Sequence, residues 1–179
     1  MADLVAQNAT QESINEHLVI RVKSSNGRIF STTLKIAKSS KIIDDMIKNL
    51  DMGNHNWNDE PLSLTQVHSS ILEKIIEFGE HYTGQVDPRV SEEGMLSNWD
   101  EKFWSDLNDE AVDMRKMIDV LSAGHFLEMD ILLASGCQFI ANMFKGKEPQ
   151  EIRDFFGIPN DFSAKENAKL TEESQWFFQ

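Results

Sequence analysis

His17-Leu18-Val19-Ile20-Arg21-Val22-Lys23-Ser24-Ser25-Asn26-Gly27-Arg28-Ile29-Phe30-Ser31-Thr32-Thr33-Leu34 is the stretch on which the fold turns. From His17 to Val22 the side chains alternate, so Leu18, Ile20 and Val22 share one face, the period of a half-buried strand. Ser24-Ser25-Asn26-Gly27 then supplies turn chemistry, because Asn-Gly tolerates the positive φ of a tight hairpin. Ile29 to Leu34 reads as the return strand. Only one other segment, Pro61-Leu62-Ser63-Leu64, suits a strand.

Outward from this hairpin the spacing becomes helical. Ser39 or Ser40 can cap a helix with Ile42, Ile43, Met46, Ile47 and Leu50 as its apolar positions. Residues 51–60 form a polar loop. Ile71, Leu72, Ile75, Ile76 and Phe78 mark a second helix, whose end Gly79 and Gly84 weaken. Residues 85–98 read as an acidic linker. Trp99, Phe103 and Trp104 anchor a short helix, and Val112, Met114, Met117, Ile118 and Leu121 mark another. Residues 128–144 form the most apolar helix, with one row at Leu132, Ser135, Gly136, Phe139 and Met143 and a second at Leu133, Cys137, Ile140 and Phe144. A helix apolar on two sides is covered on two sides, and Ser135 and Gly136 let a neighbour come close. Lys145-Gly146 stops this helix. Pro149 opens a short one with Ile152, Phe155 and Phe156, and Ser163 begins a last polar one that ends before Trp176. Strand, strand, helix, strand, helix and then only helices is an α+β order: a small three-stranded sheet surrounded by helices, with a helical extension.

The extension is the part that points to function. Of the chain's 16 aromatic residues, six lie in the last 25 positions: Phe155, Phe156, Phe162, Trp176, Phe177 and Phe178. A segment this short cannot build its own core, and contiguous apolar surface marks an interaction site. Its aromatics are expected to become ordered on binding a partner. A binding protein is therefore favoured over an enzyme.

Composition narrows the partners. The chain has 179 residues and a net charge of -13, which excludes nucleic acid and anionic membrane as natural ligands. Nine acids between Asp87 and Asp113, Asp100 among them, face only Arg89 and Lys102; this run reads as a solvated linker and helix face. The single cysteine, Cys137, allows no intrachain disulfide. Met1 to Glu16 is polar and unpatterned, has neither a basic start nor an apolar run, and is expected to be disordered. The expected location is cytoplasmic or nuclear.

Catalytic chemistry is missing from the sequence. There is no Gly-rich phosphate loop, and His17, His55, His68, His81 and His125 are scattered without metal-ligand spacing. Cys137 sits within an apolar helix and reads as a small core or interface residue. No catalytic residue, metal or cofactor is assigned.

Several motifs carry a resemblance. Ser24 to Phe30, Ile36-Ala37-Lys38, Ile71 to Ile76, Trp99-Asp100, Ala141 to Lys147, Asn160-Asp161-Phe162 and Gln175-Trp176 run in the same order as in the S-phase kinase-associated (Skp) adaptor family of SCF ubiquitin ligases, which the chain resembles from about residue 18 to residue 178. The resemblance implies a BTB/POZ domain over 17–144 and a C-terminal F-box-binding extension over 145–179. It implies a non-catalytic adaptor that bridges F-box substrate receptors to a cullin, in support of substrate ubiquitination and proteasomal degradation. It further implies an F-box surface of Leu133, Cys137, Ile140, Phe144, Ile152, Phe156, Ile158 and Trp176, with Phe162 pinning the extension. The cullin contact would fall at His125 and Phe126. There the family usually reads Ala-Ala-Asn-Tyr, whereas this chain has Ala123-Gly124-His125-Phe126. About six residues are inserted between Trp99 and that turn, where the family's usual sequence is replaced by Asn108 to Lys116. These departures leave a second reading in place: a non-catalytic F-box-binding scaffold or chaperone, or a self-assembling structural protein, with weak or no cullin binding. A homo-oligomer is a further expectation for the F-box-free chain.

Overall fold

The computed structural model describes residues 18–50, 56, 59–83, 96–107 and 114–174. The expected disordered N-terminus, nearly all of the acidic linker, most of the insertion before the turn and the terminal Trp176-Phe177-Phe178 lie outside the described residues. The fold divides into two compact units, residues 1–140 and 141–179.

In the first unit, strand β1 (Val19–Lys23) pairs antiparallel with β2 (Ile29–Thr33), Val19 opposite Thr33 and Lys23 opposite Ile29. The short strand β3 (Leu62–Ser63) joins β1 in parallel and gives the order β2-β1-β3. Ile20 and Val22 point into the core as their alternation requires. The hairpin is looser than the Asn-Gly pair suggests: Ser24 N–H donates to Arg28 O at 2.9 Å around a longer loop. Only Gly27 takes a positive φ, +86°. The Asn26 side chain instead accepts from Ser24 Oγ and donates to Ser69 Oγ, tying the loop to the start of the helix that follows β3.

The return strand ends one residue early. Thr33 Oγ1 accepts from Ile36 N–H and starts a one-turn helix, α1 (Leu34–Ala37). Its Ile36 fills the space that a side chain at Gly79 would need. Ser40 caps α2 (Lys41–Lys48), which buries Ile43 and Ile47. Helix α3 (Ser69–Thr83) runs through Gly79, which is buried. Helices α4 (Asn98–Leu107), α5 (Arg115–Phe126) and α6 (Asp130–Phe144) complete this part. The core closes on Trp104, Phe78, Met117, Val120, Leu127 and Leu132. Phe78 lies 5.4 Å from Phe103 and 6.3 Å from Trp104, ring centre to ring centre.

One expectation fails here. Asp100, read as solvated, is only 4% exposed. Ile118, one of the apolar positions that mark α5, is 46% exposed. Residues brought from distant elements enclose Asp100, whereas α5 presents one more apolar residue than its neighbours cover.

The second unit contains the last turn of α6, then α7 (Pro149–Phe156) and α8 (Ala164–Ser174). Among its described residues none is buried. Among the described residues no helix is long and apolar enough to cross a membrane.

Candidate functional site

Helix α6 carries both rows that its sequence contains, and they face different surroundings. On one side Leu132, Ser135 and Gly136 are buried. A Cβ on Gly136 would fall 2.8 Å from two ring atoms of Trp104 and 2.5 Å from Leu121, so glycine is what permits α4 and α6 to meet there. On the other side Leu133 and Ile140 are half-buried and Cys137 is exposed. Cys137 is therefore a surface thiol, not a core residue. That row is an apolar strip only partly covered by its own body.

In the second unit the rings of Phe144, Phe155 and Phe156 form a cluster, with Phe144 5.4 Å from Phe155 and 5.3 Å from Phe156. The sequence sets this up locally. Glu148 and Glu151 form a reciprocal capping box, and Pro149 opens α7, where its missing N–H costs nothing. Gly157, at φ +63°, ends the helix, and Ile158 N–H donates back to Arg153 O at 2.8 Å. Ile152 is half-buried, Phe156 is 46% exposed and Ile158 54%. Phe162 is exposed on one side, lies under the Arg153 guanidinium at 5.7 Å, and donates its N–H to Asn160 Oδ1. Ser163 caps α8 and exchanges bonds with Glu166, whose carboxyl is held below its ordinary range by those two Ser163 donors. Trp176 lies outside the described residues. Leu133, Cys137 and Ile140 thus belong to one unit, and Phe144, Ile152, Phe156 and Ile158 to the other.

The third candidate is the end of α5. Leu127 N–H donates to Ala123 O, and Met129 N–H to Gly124 O, both at 2.9 Å. Glu128, at φ 52°, takes the left-handed conformation that closes the helix. Space beside Gly124 is filled by Leu132. This wrapping leaves His125 and Phe126 exposed. Phe126 rims an open depression with Val67, His68, Ile71, Asp119 and Ser122. Ile118 and Ser122 precede it at four-residue intervals and are also exposed, so α5 presents one outward stripe. Sequence reasoning missed Ile118 because periodicity alone counts every apolar residue as inward.

No group of three metal-ligating side chains occurs among the described residues. What these surfaces offer is apolar area flanked by polar groups, which is the chemistry of protein recognition.

Comparison with known proteins gives the same direction. The Skp1 family tetramerisation domain matches residues 18–84, and the Skp1 family dimerisation domain matches residues 131–177. Suppressor of kinetochore protein 1 of Schizosaccharomyces pombe is 33% identical over 165 residues, covering 88% of this chain and 96% of its own. The E3 ubiquitin ligase complex SCF subunit sconC of Arthroderma benhamiae is likewise 33% identical over 165 residues, covering 88% of this chain and 93% of its own. The protein of the same name from Talaromyces marneffei is 30% identical over 163 residues, covering 88% and 95%.

Proposed function

The chain belongs to the Skp1 family, and from that premise we propose that it is the adaptor subunit of an SCF-type E3 ubiquitin ligase, joining an F-box substrate receptor to a cullin and contributing no catalytic group. The observation that carries this reading is apolar surface without enough body to cover it. Leu133, Cys137 and Ile140 form one patch, and Phe144, Ile152, Phe156 and Ile158 form another. We assign both patches, with Trp176, to the F-box. Burying an exposed side chain of this size gains about 1.5–3 kcal/mol, so a few such anchors supply most of an interface.

His125 and Phe126 are assigned to the cullin. Phe126 keeps the ring of the family's usual tyrosine but not its hydroxyl, and His125 replaces an amide. Where a cullin bonds to that hydroxyl or that amide, each loss costs about 0.5–1.5 kcal/mol net. Cullin binding is therefore expected to be weaker than for a family member with the usual pair.

Calorimetric titration of the chain with an F-box domain, and separately with a cullin N-terminal fragment, tests the reading. Ile140→Asp should abolish measurable F-box binding, because it would bury a carboxylate without a partner, while leaving cullin affinity unchanged. Trp176→Ala should cost about 2–4 kcal/mol of F-box binding. His125→Asn with Phe126→Tyr should strengthen the cullin complex alone. If the natural chain binds F-box domains but no cullin even with the restored pair, the scaffold reading replaces the ligase adaptor.

A further inference from the structure

Asp100 has no place in the surfaces described so far, yet it is the most enclosed acid among the described residues. Its Oδ2 accepts from Ser97 Oγ at 2.6 Å, and its N–H donates to the same hydroxyl at 3.1 Å. That end serves as a cap for α4. Its Oδ1 does something a cap does not require. It accepts from Tyr82 O–H on α3 at 2.5 Å and from Ser135 Oγ on α6 at 2.7 Å. Ser135 Oγ in turn accepts from Trp104 Nε1–H at 2.8 Å. One carboxylate oxygen thus joins three helices, and a single hydroxyl fixes α6 both to that carboxylate and to the indole.

The place where this happens on α6 matters. Ser135 is buried, and the next residue, Gly136, lies against the Trp104 ring. Leu133 and Cys137, two residues either side of Ser135, belong to the opposite row. A hydrogen bond is directional, whereas apolar packing allows a helix to turn or slide by fractions of an ångström among nearly equal arrangements. The Ser135 hydroxyl, held from two sides, removes that freedom. A buried carboxylate left with fewer donors is costly, so the arrangement resists any shift of α6 that would break it.

On the assignment of Leu133, Cys137 and Ile140 to the F-box, we propose that Asp100 is a positioning residue for that surface: through Ser135 it sets the rotation and height of α6, with Tyr82 completing its donor set. Asp100 touches no partner itself. Burial first, and then its bond to Asp100, raise the Tyr82 phenol above its ordinary value near 10, in keeping with a hydroxyl that stays a donor.

The test uses the full chain and an F-box domain, with affinity by calorimetry and melting followed in parallel. Ser135→Ala, Asp100→Asn and Tyr82→Phe are compared with Ile20→Val, which trims the buried face of β1 and touches none of these groups. Each of the first three is expected to weaken F-box binding by about threefold to tenfold, the scale of a lost hydrogen bond. Ile20→Val should lower the melting temperature and leave affinity as it was, because a chain that remains folded binds unchanged. Tyr82→Phe is the sharpest arm, since α3 contributes nothing to the F-box row and the hydroxyl acts through the network that Asp100 shares with Ser97 and Ser135. Should Asp100→Asn fail to fold, Ser135→Ala and Tyr82→Phe decide. If those two bind the F-box as tightly as the natural chain, or lose no more affinity than Ile20→Val, the network is only a core contact and the proposal is overturned. If the natural chain binds no F-box domain at all, the assigned surface fails and the positioning role falls with it; natural binding with unaffected variants removes the positioning role alone.

Discussion

The two units of this chain use apolar side chains in opposite ways. In the body, Trp104, Met117, Val120, Leu127 and Leu132 are wholly enclosed, and distant segments of chain supply the enclosure. In the extension no described residue is buried, and the order that exists comes from local devices: the Glu148–Glu151 box, the left-handed Gly157, and the Ser163–Glu166 pair. Long-range packing encloses the apolar side chains of the first unit. Local hydrogen bonding shapes the second and leaves Phe156, Ile158 and Phe162 exposed.

The sharpest way to break this comparison is to remove a large ring from each unit. Trp104→Ala should destabilise the chain by about 3–5 kcal/mol, seen as a lower midpoint in urea. Phe156→Ala should leave that midpoint unchanged and lower F-box affinity instead. Equal loss of stability in both variants would erase the distinction.

Two glycines provide the next test. Gly136→Ala forces a methyl group into Trp104 and Leu121 and should cost about 1–3 kcal/mol of global stability. Gly157→Ala meets nothing within 4 Å, but its left-handed backbone makes a side chain unfavourable by about 1–2 kcal/mol. That cost should appear as faster amide exchange in α7 and leave the melting of the body in place.

The body also contains a defect whose repair should raise its stability. Thr32 Oγ1 is buried and has no hydrogen-bond partner among the described residues. Thr32→Val keeps the shape and removes the unpaired hydroxyl, and should gain about 1–2 kcal/mol, read as a higher thermal midpoint.

The smallest effect concerns pH. Tyr82 is the chain's one tyrosine, so its ultraviolet ionisation signal belongs to a single group. Its folded pKa is raised above the ordinary 10.0. The stability it contributes is thus fully present below pH 10 and is lost as pH rises beyond that value through the folded pKa. In a native alkaline titration the midpoint should lie above 10 and return to about 10 in denaturant. Tyr82→Phe should flatten this part of the stability curve.

The same contrast explains what the sequence disclosed. Alternation at Leu18, Ile20 and Val22 revealed β1, and the small pair Ser135-Gly136 revealed where α6 is approached closely. The capping residues Ser40, Pro149 and Ser163 marked three helix starts. All are signals written in neighbouring residues. The one-turn helix Leu34–Ala37 was hidden because four residues show no period. Asp100 was misread because its neighbours in sequence are acidic and solvated, while the groups that enclose it come from α3 and α6 as well as from its own helix. The exposure of Ile118 was not legible, because nothing in an apolar residue says that its neighbours will leave it uncovered. The candidate F-box residues on α6 and α7 were legible as apolar rows; their half-exposed state required the structure.

The uncovered apolar residues of the extension have a consequence for the purified protein. Copies carrying a net charge of -13 repel one another in dilute buffer, while the exposed Phe156, Ile158 and Phe162 attract. Salt shortens the reach of the repulsion to about 8 Å at physiological ionic strength and leaves the attraction intact. Colloidal behaviour should therefore run against the usual expectation for an acidic protein: clear solutions at low ionic strength, larger particles as salt is added, and protection from that growth once an F-box domain occupies the rings.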